Sequence, residues 1–175
     1  QEAAAHILAT KVGAEWYYDT LHSEVKGIIP IPGWAAGSYN GPVGEAYFLE
    51  DLYQVTGKQE YRDYVLYVAD VLLEAAVEDE QGLHWSDQED VTADGGFIVF
   101  LDHVYRRTGI KKYLDFACKA ADRIGKDALD APLGGKFWKL LDLSMIDFPK
   151  ETTFPNWSHG TTGTAWMFAV LYQDT

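Results

Sequence analysis

Asn156-Trp157-Ser158-His159-Gly160-Thr161-Thr162-Gly163-Thr164-Ala165-Trp166-Met167-Phe168-Ala169-Val170-Leu171-Tyr172-Gln173-Asp174-Thr175 is the third writing of one pattern in this chain. The first is Gly41-Pro42-Val43-Gly44-Glu45-Ala46-Tyr47-Phe48-Leu49-Glu50-Asp51-Leu52-Tyr53-Gln54-Val55-Thr56-Gly57. The second runs from Ala93-Asp94-Gly95-Gly96 through Phe100-Leu101 and Tyr105 to Thr108-Gly109. Superposing the Thr-Gly pairs sets the second copy 52 residues after the first, and Gly44/Gly96, Phe48/Phe100, Leu49/Leu101, Tyr53/Tyr105, Tyr61/Tyr113, Asp63/Asp115, Ala69/Ala121 and Asp70/Asp122 then coincide. The third copy follows the first at 119, with Gly41/Gly160, Gly44/Gly163, Ala46/Ala165, Leu52/Leu171, Tyr53/Tyr172 and Thr56/Thr175 in register. Internal self-similarity of this kind marks a repeat architecture.

Between the copies lies a second type of helix. Tyr61, Tyr64, Val65, Val68, Ala69, Leu72, Leu73 and Ala76 recur at helical spacing, as do Tyr113, Phe116, Ala117, Ala120, Ala121 and Ile124, each stripe opposite a polar face. Ala4, Ala5, Leu8, Ala9 and Val12 repeat the stripe in shorter form, and Gly13 can end that helix. After each stripe comes a Gly-x-x-Trp: Gly13 to Trp16, Gly82 to Trp85 and Gly135 to Trp138. The glycine permits a turn, and the aromatic suits a short extended segment that plugs the end of a helical pair. The glycine-started helices carry bulky groups almost all round (Tyr47, Phe48, Leu49, Leu52, Tyr53), as helices surrounded by others do. The expected fold is therefore all-α, an α/α toroid of antiparallel helical hairpins. Inner helices are expected near 42–55, 95–107 and 160–173, and outer helices near 2–12, 58–78 and 111–127. Their glycines are expected to let neighbouring helices approach closely and to leave amide N–H groups at the helix starts open to an anion.

The repeats divide the single domain into about 1–40 (partial), 41–92, 93–159 and 160–175 (partial). Half-repeats at both ends carry the expectation of a fragment, about half of a ring, completed by its missing part or by a second copy. Net charge is −13, from 14 basic and 27 acidic residues, which disfavours nucleic acid, whose binders usually carry a basic face. An anionic membrane is disfavoured for the same reason, and no apolar run is long enough to span one. Cys118 is the only cysteine, so it makes no internal disulfide; on the apolar stripe it reads as a buried, inert thiol that fits a reducing cytoplasm.

The Gly-x-x-Gly helix starts, the Thr-Gly turns and above all Ser158-His159-Gly160-Thr161-Thr162-Gly163 resemble the lanthionine synthetase C-like family over most of the chain. The resemblance implies an α/α toroid with a zinc ion that activates cysteine thiols of a precursor peptide for addition to dehydrated Ser or Thr, related members handling glutathione. It places His159 on the family's non-ligand histidine, the proton donor or acceptor of cyclisation. An imidazole exchanges protons near neutral pH, and a helix N-terminus beside it favours the neutral base. His159 can equally cap its helix or bond a neighbouring loop. The family's zinc motifs, Trp-Cys-x-Gly and Cys-His-Gly, do not occur here, so no cofactor is expected in this segment and zinc is expected from later repeats. Where the family has its acidic partner this chain reads Gly37-Ser38-Tyr39-Asn40, and Asp94 is a substitute by position, with a helix N-cap as its other role. Trp34, Tyr39, Asn40 and Trp157, on the loops before the first and third glycine pairs, are the candidate substrate-binding residues for a peptide or small molecule.

Carbohydrate chemistry is the second class, because α/α toroids also house glycosidases and epimerases with tryptophans and paired carboxylates in a central cleft. Trp16, Trp34, Trp85, Trp138 and Trp157 with Asp19, Glu24, Asp87, Glu89, Asp90, Asp147 and Glu151 supply the residue types. Tryptophans that merely plug hairpin ends and solvated acidic loops supply them too. A non-catalytic module that binds a peptide in its cup is the third class. His6, His22, His84 and His103 show no close metal-ligand spacing.

Overall fold

The computed structural model describes residues 1–9, 37–38, 41–86, 88–139 and 153–175. Among them are six helices: α1 (Glu2–Ala9), α2 (Pro42–Thr56), α3 (Gln59–Ala75), α4 (Asp94–Thr108), α5 (Lys111–Lys126) and α6 (Thr161–Leu171). Strands β1 (Val77–Glu78) and β2 (Leu83–His84) form one antiparallel pair, and β3 (Leu129–Asp130) and β4 (Lys136–Phe137) form another. The protein is thus mostly helical. Its helices fall at the expected positions, except that α3 stops at Ala75 because Ala76 is extended and Val77 pairs with His84. Residues 10–12 and the Gly13 to Trp16 turn lie outside the described residues.

Each Thr-Gly pair makes the same stop. Thr56 donates its hydroxyl to the Leu52 carbonyl at 2.6 Å, and Gly57, at φ 67°, donates its N–H to Tyr53 at 2.8 Å. Thr108 and Gly109 do the same to Val104 and Tyr105, and Thr175 returns to Leu171. These bonds satisfy carbonyls that a helix end leaves without partners, and the left-handed glycine turns the chain into the next helix.

The Gly-x-x-Trp segments close the other end of each hairpin. Trp85 donates its indole N–H to the carbonyl of Leu72 in the last turn of α3, at 2.7 Å, and lays its ring edge-on to Phe97 of α4. Trp138 repeats the bond to Ile124 of α5 at 2.7 Å and stacks on Phe168 of α6. One side chain thereby fills a gap, satisfies an orphan carbonyl and joins an outer helix to the next inner one. Arg123 of α5 binds both carboxylate oxygens of Asp79 at 2.8 Å, which ties the β1–β2 turn to the neighbouring hairpin.

The core runs between α3, α4 and α5, where Val65, Val68, Leu72, Phe97, Phe100, Leu101, Tyr113 and Ile124 are all buried. Of the glycine-started helices α4 is the most buried; it packs on α3, α5 and α6. Phe48 of α2 and Trp166 of α6 are each about two-fifths exposed.

The paired glycines serve a purpose different from close helix approach. A Cβ on Gly44 would overlap the carbonyl oxygen of Ser38, one on Gly96 that of Val91, and one on Gly163 that of Trp157. In every copy the loop before the inner helix folds back and lays a peptide carbonyl on the helix's first turn. The amides at these starts are occupied accordingly: Gly95 N–H donates to Asp90 O and Thr161 N–H to Phe154 O, both at 3.0 Å. Gly96→Ala is therefore expected to cost about 1–3 kcal/mol through overpacking. Gly57→Ala, which meets nothing within 4 Å, is expected to cost about 1 kcal/mol through its left-handed backbone alone. Urea unfolding of the two variants checks the order.

Candidate functional site

The loops folded onto α4 and α6 meet at His159. On the first loop Asp90, buried, accepts the Thr92 N–H at 2.8 Å and the Gln88 side-chain amide at 2.8 Å, an Asx-type turn that sets its carboxylate in place. On the second, Asn156 accepts the His159 N–H at 2.7 Å and so positions that residue one step before the α6 N-cap, Gly160. The imidazole Nδ1 lies 3.4 Å from the Thr92 hydroxyl and 3.6 Å from Asp90 Oδ2. The His159 side chain is 37% exposed, while the Asp90 side chain is 6% exposed. A buried carboxylate and a hydroxyl beside the Nδ1 of a solvent-reached imidazole form an arrangement that can orient the ring for proton transfer.

Asp94 is placed differently. The N-cap of α4 is Ala93, without a side-chain bond, so Asp94 does not cap the helix. Its buried carboxylate accepts the Trp85 N–H at 3.0 Å, the Ser86 N–H at 3.2 Å and the Ser86 hydroxyl at 2.7 Å, which ties the exit of β2 to the start of α4. Burial pushes its pKa up to about 6 against the pull of those donors. The acid next to His159 is Asp90, one of the loop acids of the carbohydrate reading. Its local signal was the Asp-x-Thr turn, Asp90-Val91-Thr92.

Glu89, Asp90, Trp138, Lys139 and His159 surround a dent of about 10 Å³, room for about one water. Glu89 is pushed up to about 8, first by burial and then by its hydrogen bond to Asp127 and that residue's charge. A larger cavity, about 450 Å³, opens between α2, α4 and α6 and is lined by Tyr47, Val99, Asp102, His103, Trp157 and Trp166 among others. Trp157 thus faces this cup, whereas His159, two residues on, lines the dent. Trp34, Tyr39 and Asn40 lie outside the described residues, as do Trp16, Asp19, Glu24, Asp87, Asp147 and Glu151.

Among the described residues no three His, Cys, Asp or Glu side chains converge as a metal site requires. The Cys118 thiol is pushed up by burial and by Asp122 and Asp115, away from the reactive thiolate. No helix among the described residues is long and apolar enough to cross a membrane. No family model matches the chain, and no curated protein matches it.

Glu89 gives a pH dependence with a definite sign. Folding raises its pKa from 4.5 to about 8, so the folded chain keeps a proton that the unfolded chain has lost, and stability falls as pH rises through that window. Asp94 acts in the same direction between 3.8 and about 6. The urea midpoint is expected to drop between pH 5 and pH 8, and to drop less in Glu89→Gln, which cannot ionise.

Proposed function

We propose that the chain is part of an α/α toroid of the lanthionine synthetase C type that adds a thiol to an unsaturated peptide residue, with His159 as the group that moves the proton. The observation that carries this reading is the His159 imidazole, partly exposed beside a glycine-started helix with Asp90 3.6 Å behind it. In such an addition the sulfur bonds to the β-carbon of the dehydrated residue, the thiol loses its proton and the α-carbon gains one. His159 accepts or delivers that proton from the exposed side of its ring, with Asp90 and Thr92 beside its Nδ1, and the peptide lies in the cup between α2, α4 and α6 and extends past Trp157 to the imidazole. The zinc that the resemblance implies has no donor set among the described residues, and its ligands would lie in further repeats.

Ring closure by further repeats or a second copy is supported by an open groove of about 620 Å³ lined by Cys118, Asp122, Phe168 and Tyr172. One repeat earlier the counterpart of Asp122 is Asp70, and Tyr113 of the next outer helix covers it with a 2.8 Å hydrogen bond. The carbohydrate reading fares less well at these residues, since Asp90 is buried and its two oxygens already accept from Thr92 and Gln88.

The test is a peptide carrying one dehydroalanine and one cysteine, incubated with the full-length protein while free thiol is counted. His159→Ala is expected to lower the rate about 10²–10⁴-fold with the helical circular dichroism unchanged. An unchanged rate removes the assignment, and peptide binding without thiol loss in the wild type favours the non-catalytic module.

A further inference from the structure

The cup holds a buried acid that the proton-transfer reading does not use. Asp102, in the middle of α4, is 1% exposed, and neither carboxylate oxygen has a hydrogen-bond donor among the described residues. Its neighbouring guanidinium is shared: Arg106 Nε stands 3.0 Å from Asp102 Oδ2 and also donates to Asp174, and Arg106 Nη2 donates to the Val170 carbonyl at 2.7 Å. Two carboxylates share one guanidinium, so the cluster keeps a net negative charge when ionised. A buried carboxylate left in this state is costly unless something supplies donors.

The preceding repeat gives the same position two donors on one oxygen. Glu50 stands 52 residues before Asp102 and is also 1% exposed; its Oε1 accepts from Arg62 at 2.9 Å and from Gln54 at 2.7 Å, while its Oε2 has no hydrogen-bond partner among the described residues. Fifty-two residues after Arg62 the chain has Leu114, so the second repeat lacks that internal cation. What Asp102 faces instead is the cavity, whose wall brings Tyr47, Trp157 and Trp166 around it. Trp157 and Trp166 lie with ring centroids 5.3 Å apart, and Tyr47 packs on His103 at 5.1 Å. His103 Nε2 is likewise buried without a partner among the described residues, and burial, with Arg107, lowers the pKa of the ring so that it stays neutral. A neutral imidazole offers a hydrogen bond without repelling a cation.

We propose that the cup is a binding site for a primary ammonium group on an apolar stem, of which the lysine side chain of a peptide is the matching class, with Asp102 as its counter-ion. Indole and phenol faces attract such a cation and cover its methylenes, and the desolvated carboxylate supplies the charge-assisted bond. The volume of about 450 Å³ lies in the range of small-molecule pockets, roughly 300–1,000 Å³. The assignment rests on the reading of the cup as the place where substrate enters, and it adds the chemistry of what enters.

Titration calorimetry of the full chain with N-acetyl-lysine amide and with its neutral isostere N-acetyl-norleucine amide tests it. The lysine probe is expected to bind about 10-fold tighter or more, and Asp102→Asn should shrink the preference to less than about 3-fold. Trp166→Ala, a change at a partly exposed ring, should weaken the lysine probe by about 5-fold or more. The wild-type comparison stands even where Asp102→Asn does not fold. Equal binding of the two probes, a preference that survives Asp102→Asn, or indifference to Trp166→Ala overturns the proposal. Thiol addition without a lysine preference overturns this site alone, whereas a lysine preference without thiol addition overturns the thioether reading and leaves the site standing.

Discussion

Peptide carbonyls pressed against the first turns of α2, α4 and α6 are the constraint on which most of this structure depends. Ser38, Val91 and Trp157 each place a carbonyl where a Cβ on Gly44, Gly96 or Gly163 would be, so each preceding loop lies against its helix start in space that only a glycine leaves open. Side chains add to the hold, Asp94 on Ser86 and Thr162 on the Pro155 carbonyl, and the remaining residues are presented at set places: Asp90 and Thr92 on one loop, His159 on the next, Trp157 into the cup. The same folding-back takes up the helix-start amides of Gly95 and Thr161.

The tryptophan plugs act at the opposite end of each hairpin. Trp85 and Trp138 satisfy equivalent carbonyls, those of Leu72 and Ile124, and reach the next inner helix through Phe97 and Phe168. The loop tryptophans that could furnish a carbohydrate site thereby divide into two kinds. Trp85 and Trp138 are built into the architecture, while Trp157 is exposed at the cup.

Repetition also makes departures informative. Glu50 and Asp102 occupy the same helical position with the same burial, but their arginines come from different places: Arg62 of the following helix for Glu50, Arg106 one turn further along α4 for Asp102. Arg106 is shared with Asp174, and the position of Arg62 is taken by Leu114 in the second repeat. The acid stays and its cation is divided, where the wall faces the cup.

Helix positions were legible in the residues themselves, since apolar spacing and Thr-Gly stops act within one or two turns. The observed ends of α2, α4 and α5 lie within one residue of those expected, because the bonds that end them, Thr56 to Leu52 or Gly109 to Tyr105, are local. His159 was legible as a candidate from its place before a glycine pair, but its neighbour was not: Thr92 and Asp90 come to it from a loop 67 or more residues away, and position alone favoured Asp94. What separates Asp90 from Asp94 is which groups each carboxylate meets: it accepts from Trp85 and Ser86 at Asp94, and from Thr92 and Gln88 at Asp90, which also lies 3.6 Å from the imidazole. The division of Arg106 between Asp102 and Asp174 was equally invisible, for it depends on Asp174 reaching the guanidinium from beyond the end of α6. Periodicity is a property of neighbours along the chain and can be read there; the pairing of charges across loops is a property of packed segments, and only the tertiary structure decides it.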